Sequence, residues 1–222
     1  MRGQRVKCVL LDLDGTLIDS EDTSFKCTDA AFRQIMGRGI TSEERSMFMG
    51  RPVSILLNDM FGARGEEIAL LGKSLYMRSV PEIKMFDGFM DVLMELKRLG
   101  LKLGIVTSSR NEPVHAILRT LHIEGIFDAV VTQESTEKHK PKPDPVLKAL
   151  EETVTSPKDA ILVGDQPWDI KSASSAGVRS YGASWGPGKE SLLRMAGAIS
   201  VLRKPSSILR ITGAKVRKNL ME

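Results

Sequence analysis

Two aspartates, Asp12 and Asp14, stand one residue apart where the apolar run "CVLL" ends. Carboxylates repel each other and resist burial, so a pair placed there needs a compensating charge. Other apolar runs also stop on chemically useful residues. "GIV" is followed by Thr107, Ser108 and Ser109, "AILVG" by Asp165 with Asp169 four residues on, and "KHKPKPDP" between them carries Lys138, Lys140 and Lys142. A hard divalent cation with oxygen ligands fits an acidic, histidine-free set, so Mg²⁺ suits it better than zinc. The histidines His115, His122 and His139 show no ligand spacing. A cation beside carboxylates, a lysine and hydroxyl donors is equipment for handling phosphate. One carboxylate is then free to attack phosphorus and form an acyl phosphate. The second can pass a proton to the leaving oxygen and later take one from water. Residues i and i+2 of a strand share a face, about 6.5–7 Å apart, and Gly15 lets the chain turn sharply just after them.

The elements that must gather these residues are legible beyond residue 100. Apolar runs at 101–107, 129–132, 160–165, 178–183 and 198–202 read as strands, and they alternate with amphipathic stretches at 112–121, 144–153, 168–176 and 189–195 before a last short helix near 205–211. Continuous apolar strands alternating with helices indicate a parallel sheet covered on both faces, the doubly wound α/β layout. In such a sheet the carboxyl ends of the strands meet along one edge, where ligands bind. The first strand, 6–11, belongs to this sheet, but its next partner is far away. Between Leu17 and about Met85 no period-2 strand is found, only helical spacing such as Ile68, Leu71 and Leu75. A crossover needs a dozen or so residues, so the surplus predicts an inserted helical subdomain placed to act as a lid. The expected division is a core of residues 1–18 and 84–222 with a helical cap at 19–83, the hinge lying at Leu17–Ile18–Asp19. A helix over 88–99 ends at Gly100, a plausible C-cap.

Composition agrees with a soluble globular chain: of 222 residues, 41% are apolar and charges of both signs are mixed. No apolar run approaches the roughly 20 residues needed to span a bilayer, and the one near the N-terminus is shorter than a signal-peptide core of about 7–15. A cytoplasmic location is expected, with Cys8 a small core residue and no disulfide to Cys27. The net charge of +4 is uneven: from Arg203 onward six basic residues face one acidic, so that segment is +5 and the rest −1. No aromatic residues interleave with those charges, so no nucleic-acid surface is suggested and the tail reads as a solvated terminal helix.

"DLDGTL" at 12–17 resembles the first motif of the haloacid dehalogenase superfamily, in its phosphatase branch. "GIVTSS" is similar to the second motif, "KPKPD" to the third and "VGDQPWD" to the fourth, in the family's order over nearly the whole core. The helical insert is similar to the family's small helical cap, and the layout most resembles the phosphoglycolate phosphatase-like group. The resemblance implies that Asp12 is the nucleophile and a Mg²⁺ ligand, and that Asp14 is the general acid/base with its backbone carbonyl on the metal. It implies that Thr107, with the Ser108 N–H, binds the phosphoryl group, and that Lys140 stabilises nucleophile and phosphoryl charge. Asp165 would ligate Mg²⁺ and Asp169 would do so directly or through water. Gln166 and Pro167 depart from the common pattern after Asp165, and Lys138 and Lys142 crowd the third motif.

Simpler readings stand beside these. Thr107 can be a strand-to-helix cap, Asp165 and Asp169 can be helix N-terminal charges, and Trp168 and Trp185 read as packing. Arg51, in "GRP" of the insert, falls where the family's caps often present substrate contacts. "GPGKES" at 186–191 fails as a nucleotide loop, because Ala183 and Glu190 stand where Gly and Ser or Thr are required. The expected function is a Mg²⁺-dependent phosphatase acting on a small phosphorylated metabolite, as a monomer or homodimer. A phosphomutase of the same family is the alternative. A dehalogenase is disfavoured by Asp14, and a receiver domain by the lack of an aspartate at Val131–Thr132.

Overall fold

The computed structural model describes residues 6–213. In chain order the strands are β1 (Cys8–Leu11), β2 (Ile18–Asp19), β3 (Lys84–Met85), β4 (Lys102–Val106), β5 (Ala129–Val131), β6 (Ala160–Gly164), β7 (Arg179–Ala183) and β8 (Val201–Leu202). The helices are α1 (Glu21–Met36), α2 (Ser42–Phe48), α3 (Val53–Phe61), α4 (Ala63–Ser79), α5 (Phe89–Arg98), α6 (Asn111–Thr120), α7 (Asp144–Glu152), α8 (Pro167–Ser175), α9 (Glu190–Met195) and α10 (Ser207–Ile211).

Six strands form a parallel sheet in the order β5–β4–β1–β6–β7–β8. Period-2 geometry explains why β1 is apolar throughout. Val9 and Leu11 enter the core on one face, with Phe89 and Leu93 of α5 and Val114 and Ile117 of α6. Cys8 and Leu10 enter the other, with Val146 and Ala149 of α7 and Ala173 of α8. All four β1 side chains are fully buried, and each buried leucine contributes roughly 1.5–3 kcal/mol from area removed from water. The chain winds outward from β1 through β4 to β5, then returns to β6 on the other side of β1. β1 is therefore the switch point of a doubly wound sheet, where the crevice beyond the strand ends is deepest in binding potential.

The connection from β1 to β4 carries α1–α4, whose own small core is Ala31, Phe32, Phe48, Leu57 and Ile68. The segment leaves and rejoins the sheet through β2 and β3, an antiparallel ribbon pairing Ile18 with Met85 and Asp19 with Lys84. Sequence periodicity gives no strand here, because two residues are too few to show alternation. The stretch at 198–202 likewise narrows to Val201–Leu202. Arg203, Lys204 and Arg210 of the basic tail are described, whereas Lys215, Arg217, Lys218 and Glu222 lie outside the described residues. No helix among the described residues is long and apolar enough to cross a membrane.

Candidate active site

The carboxyl ends of β1, β4 and β6 lie side by side, since Leu11 pairs with Ile105 on one side and Val163 on the other. Asp12 follows β1 and anchors its backbone by donating to the Val163 carbonyl at 2.9 Å. Thr107 follows β4, and its N–H donates to the Val131 carbonyl at 2.9 Å. Asp165 follows β6. One oxygen from each of Asp12, Asp165 and Asp169 lies within 4.8 Å of the others, and all three side chains are buried.

Lys140 reaches this cluster from the loop before α7. Its ammonium, almost wholly buried, donates to Asp12 Oδ1 at 2.7 Å, Asp169 Oδ1 at 2.6 Å and the Val106 carbonyl at 2.6 Å. Three donors thus meet three acceptors, which is the full capacity of an ammonium. Burial alone would lower its pKa, but Asp12 and then Asp169 outweigh it, so the group stays charged well above the usual lysine range. Lys138 instead points outward, 68% exposed and 4.0 Å from Asp144. One lysine cannot balance three carboxylates. Burial, then Asp169, hold the Asp12 carboxyl above its ordinary range despite Lys140; burial, then Asp169 and Glu21, do the same to Asp165. Asp165 meets neutral donors only, Gln166 Nε2 at 2.7 Å and the Thr16 hydroxyl at 3.1 Å. An all-oxygen, buried, under-compensated set of this kind fits a hard divalent cation such as Mg²⁺.

Asp169 has a second duty. Its Oδ2 accepts the Gln166 N–H at 2.9 Å, closing a capping box at the start of α8 with Pro167 in the first turn. The helix-cap reading of Asp169 therefore holds and is compatible with its place in the acidic cluster, with Gln166 as the cap.

Asp14 is turned away from the three clustered carboxylates. Its Oδ1 accepts the Ser20 hydroxyl at 2.5 Å and its Oδ2 the Ser109 hydroxyl at 2.6 Å, with the Tyr76 and Thr107 hydroxyls each at 3.5 Å. Ser20 occupies the N-cap position of α1 yet makes no capping bond, because its hydroxyl is committed to Asp14. Thr107 is no helix cap either: α6 takes Arg110 as its N-cap, and Thr107 Oγ1 instead accepts the Ser109 N–H at 3.0 Å in a tight turn. Ser108 donates across to the Gly50 carbonyl of the inserted helices at 3.3 Å.

Two glycine positions make the close packing possible. Gly15 has φ +78°, and a Cβ there would sit 2.8 Å from Asp165 Oδ2. In "GPGKES" a Cβ on Gly186 or Gly188 would strike the carbonyls of Gly15 and Asp165, so that loop covers the acidic cluster rather than holding a nucleotide.

Above these groups is a cavity of about 120 Å³, lined from the core by Asp12, Asp14, Thr107 and Ser108 and from the inserted helices by Glu21, Arg45 and Arg51 among others. The Arg51 guanidinium lies 5.6 Å from the Trp168 ring centre, so Trp168 joins the two parts of the molecule. Burial, then Asp14 and Asp12, push the Glu21 carboxyl up to about 8. Sequence reasoning misses Glu21, Arg45, Ser20 and Tyr76. Ser20 adjoins the expected hinge, which is a usable signal; the others depend on which way a helix face points.

Comparison with known proteins agrees with the geometry. The family described as haloacid dehalogenase-like hydrolase matches residues 9–183. A relative in Caldanaerobacter subterraneus subsp. tengcongensis, provisionally named pyrophosphatase PpaX, is 38% identical over 82% of this chain and 83% of its own. A structure from Haemophilus somnus named as a predicted phosphoglycolate phosphatase superposes with a TM-score of 0.84 over 96% of this chain and 100% of that one; at 21% identity this likeness concerns the fold. A Thermotoga maritima structure provisionally named beta-phosphoglucomutase gives 0.73 at 26% identity, covering 94% of this chain and 99% of that one. With ordered motifs, a switch-point carboxylate cluster and a family match spanning most of its length, the chain belongs to the haloacid dehalogenase-like hydrolases and is an enzyme of that family.

Proposed function

We propose that the chain is a Mg²⁺-dependent phosphatase that hydrolyses a small phosphorylated metabolite through an aspartyl-phosphate on Asp12. The observation that carries this reading is Lys140, whose ammonium bridges Asp12 and Asp169 within a cluster that still lacks positive charge. Lys140 engages Asp12 Oδ1 and leaves Oδ2 to form the bond to phosphorus. The residues that would hold Mg²⁺ are Asp12, Asp165 and Asp169 by their carboxylates, with the Asp14 backbone carbonyl. When bound, Mg²⁺ would neutralise phosphoryl oxygens and the excess carboxylate charge.

In this reading Thr107 and the Ser108 N–H grip the transferring phosphoryl group. As the Asp12–phosphorus bond forms, the bond to the leaving oxygen breaks, and Asp14 gives that oxygen its proton. Water then attacks the acyl phosphate and passes a proton back to Asp14, restoring both carboxyls. Ser20 and Ser109 hold Asp14 aside from the cluster, so the acid/base and the nucleophile act on opposite sides of the phosphoryl group. The helices α1–α4 form a cap over residues 19–83 that closes the cavity, with Arg51 as a substrate contact.

The test is phosphate release from a panel of phosphorylated metabolites. Asp12→Asn is expected to abolish release while the protein melts normally, and EDTA is expected to silence the wild type until Mg²⁺ is restored. Substantial release by Asp12→Asn, or indifference to EDTA, overturns the mechanism.

A further inference from the structure

The roof of the cavity differs in chemistry from its floor. Glu21, Ser24, Phe25 and Thr28 fall on one face of α1, at the i, i+3, i+4 and i+7 positions that share a helix surface. Arg45 and Phe48 face them from α2. Phe48 is buried, and the Arg45 guanidinium lies 3.9 Å from the Phe25 ring centre, within cation–π range.

Two of the lining side chains are arginines, and each lies near an aromatic ring. Arg33, Arg38, Arg98, Arg110 and Arg194 each pair with a carboxylate. Among the described residues, neither Arg45 nor Arg51 has a carboxylate oxygen within ion-pair distance; they lie instead against Phe25 and Trp168. A contact with a ring face leaves the guanidinium N–H groups unspent, and the fork they form matches phosphate or carboxylate oxygens. Glu21 shares the cavity without forming an ion pair with either arginine.

We propose that the substrate's leaving group carries an anionic group of its own, a phosphate or a carboxylate, which Arg45 and Arg51 hold against the roof while Asp12 attacks the other end. This rests on the phosphatase reading above. Phe25 and Phe48 line the space beside these arginines. A neutral polyol in the same place would meet aromatic faces and cations and would leave both arginines without an anion, so a sugar bearing one phosphate is a poor fit.

The experiment compares kcat/KM on three compounds of similar length: pyrophosphate, 2-phosphoglycolate and the neutral 2-hydroxyethyl phosphate, in wild type, Arg45→Met and Arg51→Met. The wild type is expected to prefer at least one anionic compound over the neutral one. Each methionine variant should cut that preference by about 10- to 100-fold, as expected for losing a hydrogen bond to a charged group. Best turnover of pyrophosphate assigns the distal group as phosphate, and best turnover of 2-phosphoglycolate assigns it as carboxylate. Equal turnover of all three compounds, or a preference untouched in both variants, overturns the inference while leaving the phosphatase reading in place. No turnover of any of them overturns the inference, and the metabolite panel then decides the phosphatase reading separately. A second measurement needs no turnover: the Asp12→Asn protein should bind methylenediphosphonate more tightly than methylphosphonate, and Arg45→Met added to it should erase the difference. Equal binding before that addition again counts against the forks.

Discussion

Replacing Asp165 by Asn should stabilise the protein without metal and weaken it with metal, so that the order of melting temperatures reverses. The side chain is fully buried, its oxygen lies within 4.8 Å of oxygens of Asp12 and Asp169, and its direct donors are neutral. At about 4.5 Å and an effective dielectric constant of roughly 20, one carboxylate pair costs about 4 kcal/mol. Losing two hydrogen bonds to a charged acceptor returns part of that, about 2 kcal/mol. Asparagine can keep both bonds, its Oδ1 accepting from Gln166 Nε2 and its Nδ2 donating to the Thr16 hydroxyl, which can accept as well as donate. The balance is about 2 kcal/mol in favour of Asp165→Asn in EDTA, or roughly 4–8 °C for a chain of this size. Wild type should recover the difference in Mg²⁺, since a ligand at 100 times its Kd adds about 2.7 kcal/mol. The assay is thermal melting of both proteins at neutral pH, in EDTA and in a Mg²⁺ series. A variant that melts below wild type in EDTA, or that gains as much from Mg²⁺ as wild type does, refutes the reasoning.

Asp14→Asn should reduce turnover of alkyl phosphates by about 10²- to 10⁴-fold, the range for a lost general acid. The loss should shrink for an aryl phosphate whose leaving group needs no proton; an equal loss on both would remove Asp14 from that role. Asp128 accepts the Leu103 N–H at 2.9 Å and the ammonium groups of Lys97 and Lys102 at 2.9 and 3.0 Å. Burial works against these partners, yet they hold its carboxyl down to about 2. A depressed carboxyl stabilises the fold above its unfolded pKa of about 3.9 and stops doing so as pH falls through the folded value. Asp128→Asn should therefore cost about 1 kcal/mol at pH 7, after allowance for solvent screening, and nothing near pH 2; urea melts at the two pH values check the sign. Gly15→Ala forces a left-handed residue and a Cβ into Asp165, so it should destabilise by more than about 1 kcal/mol and shrink the Mg²⁺-induced melting shift. A shift equal to that of wild type would separate Gly15 from the site.

What was legible in the sequence is what chain direction and spacing encode. β1, β4 and β6 are apolar on both faces, so their carboxyl ends had to align, and Asp12, Thr107 and Asp165 followed from where each apolar run stops. Lys140 was distinguishable from Lys138 and Lys142 by motif resemblance alone; its burial against Asp12 and Asp169 is tertiary information. The ribbon of β2 and β3 was invisible because periodicity needs more than two residues a side. Glu21, Arg45 and Tyr76 were hidden for another reason. They sit on helices whose apolar faces are shared between a small private core and the cavity, so the usual rule that one face is buried does not say which polar residue turns inward.

That division bears on how the molecule separates chemistry from recognition. The groups proposed to react follow the ends of buried strands, where burial and the neighbouring Asp169 raise the Asp12 and Asp165 carboxyls. The inserted helices meet the core through the Arg51–Trp168 contact, apolar packing of Tyr76 and Met77, bonds from Ser20 and Tyr76 to Asp14, a Ser108–Gly50 contact, a Ser54–Gln133 bond and a Lys73–Glu112 ion pair. Exposed ion pairs and lone hydroxyl bonds contribute about 1 kcal/mol or less each, so these polar contacts add little to the stability of the sheet. Substitutions in the roof should then move substrate preference with little cost to the sheet.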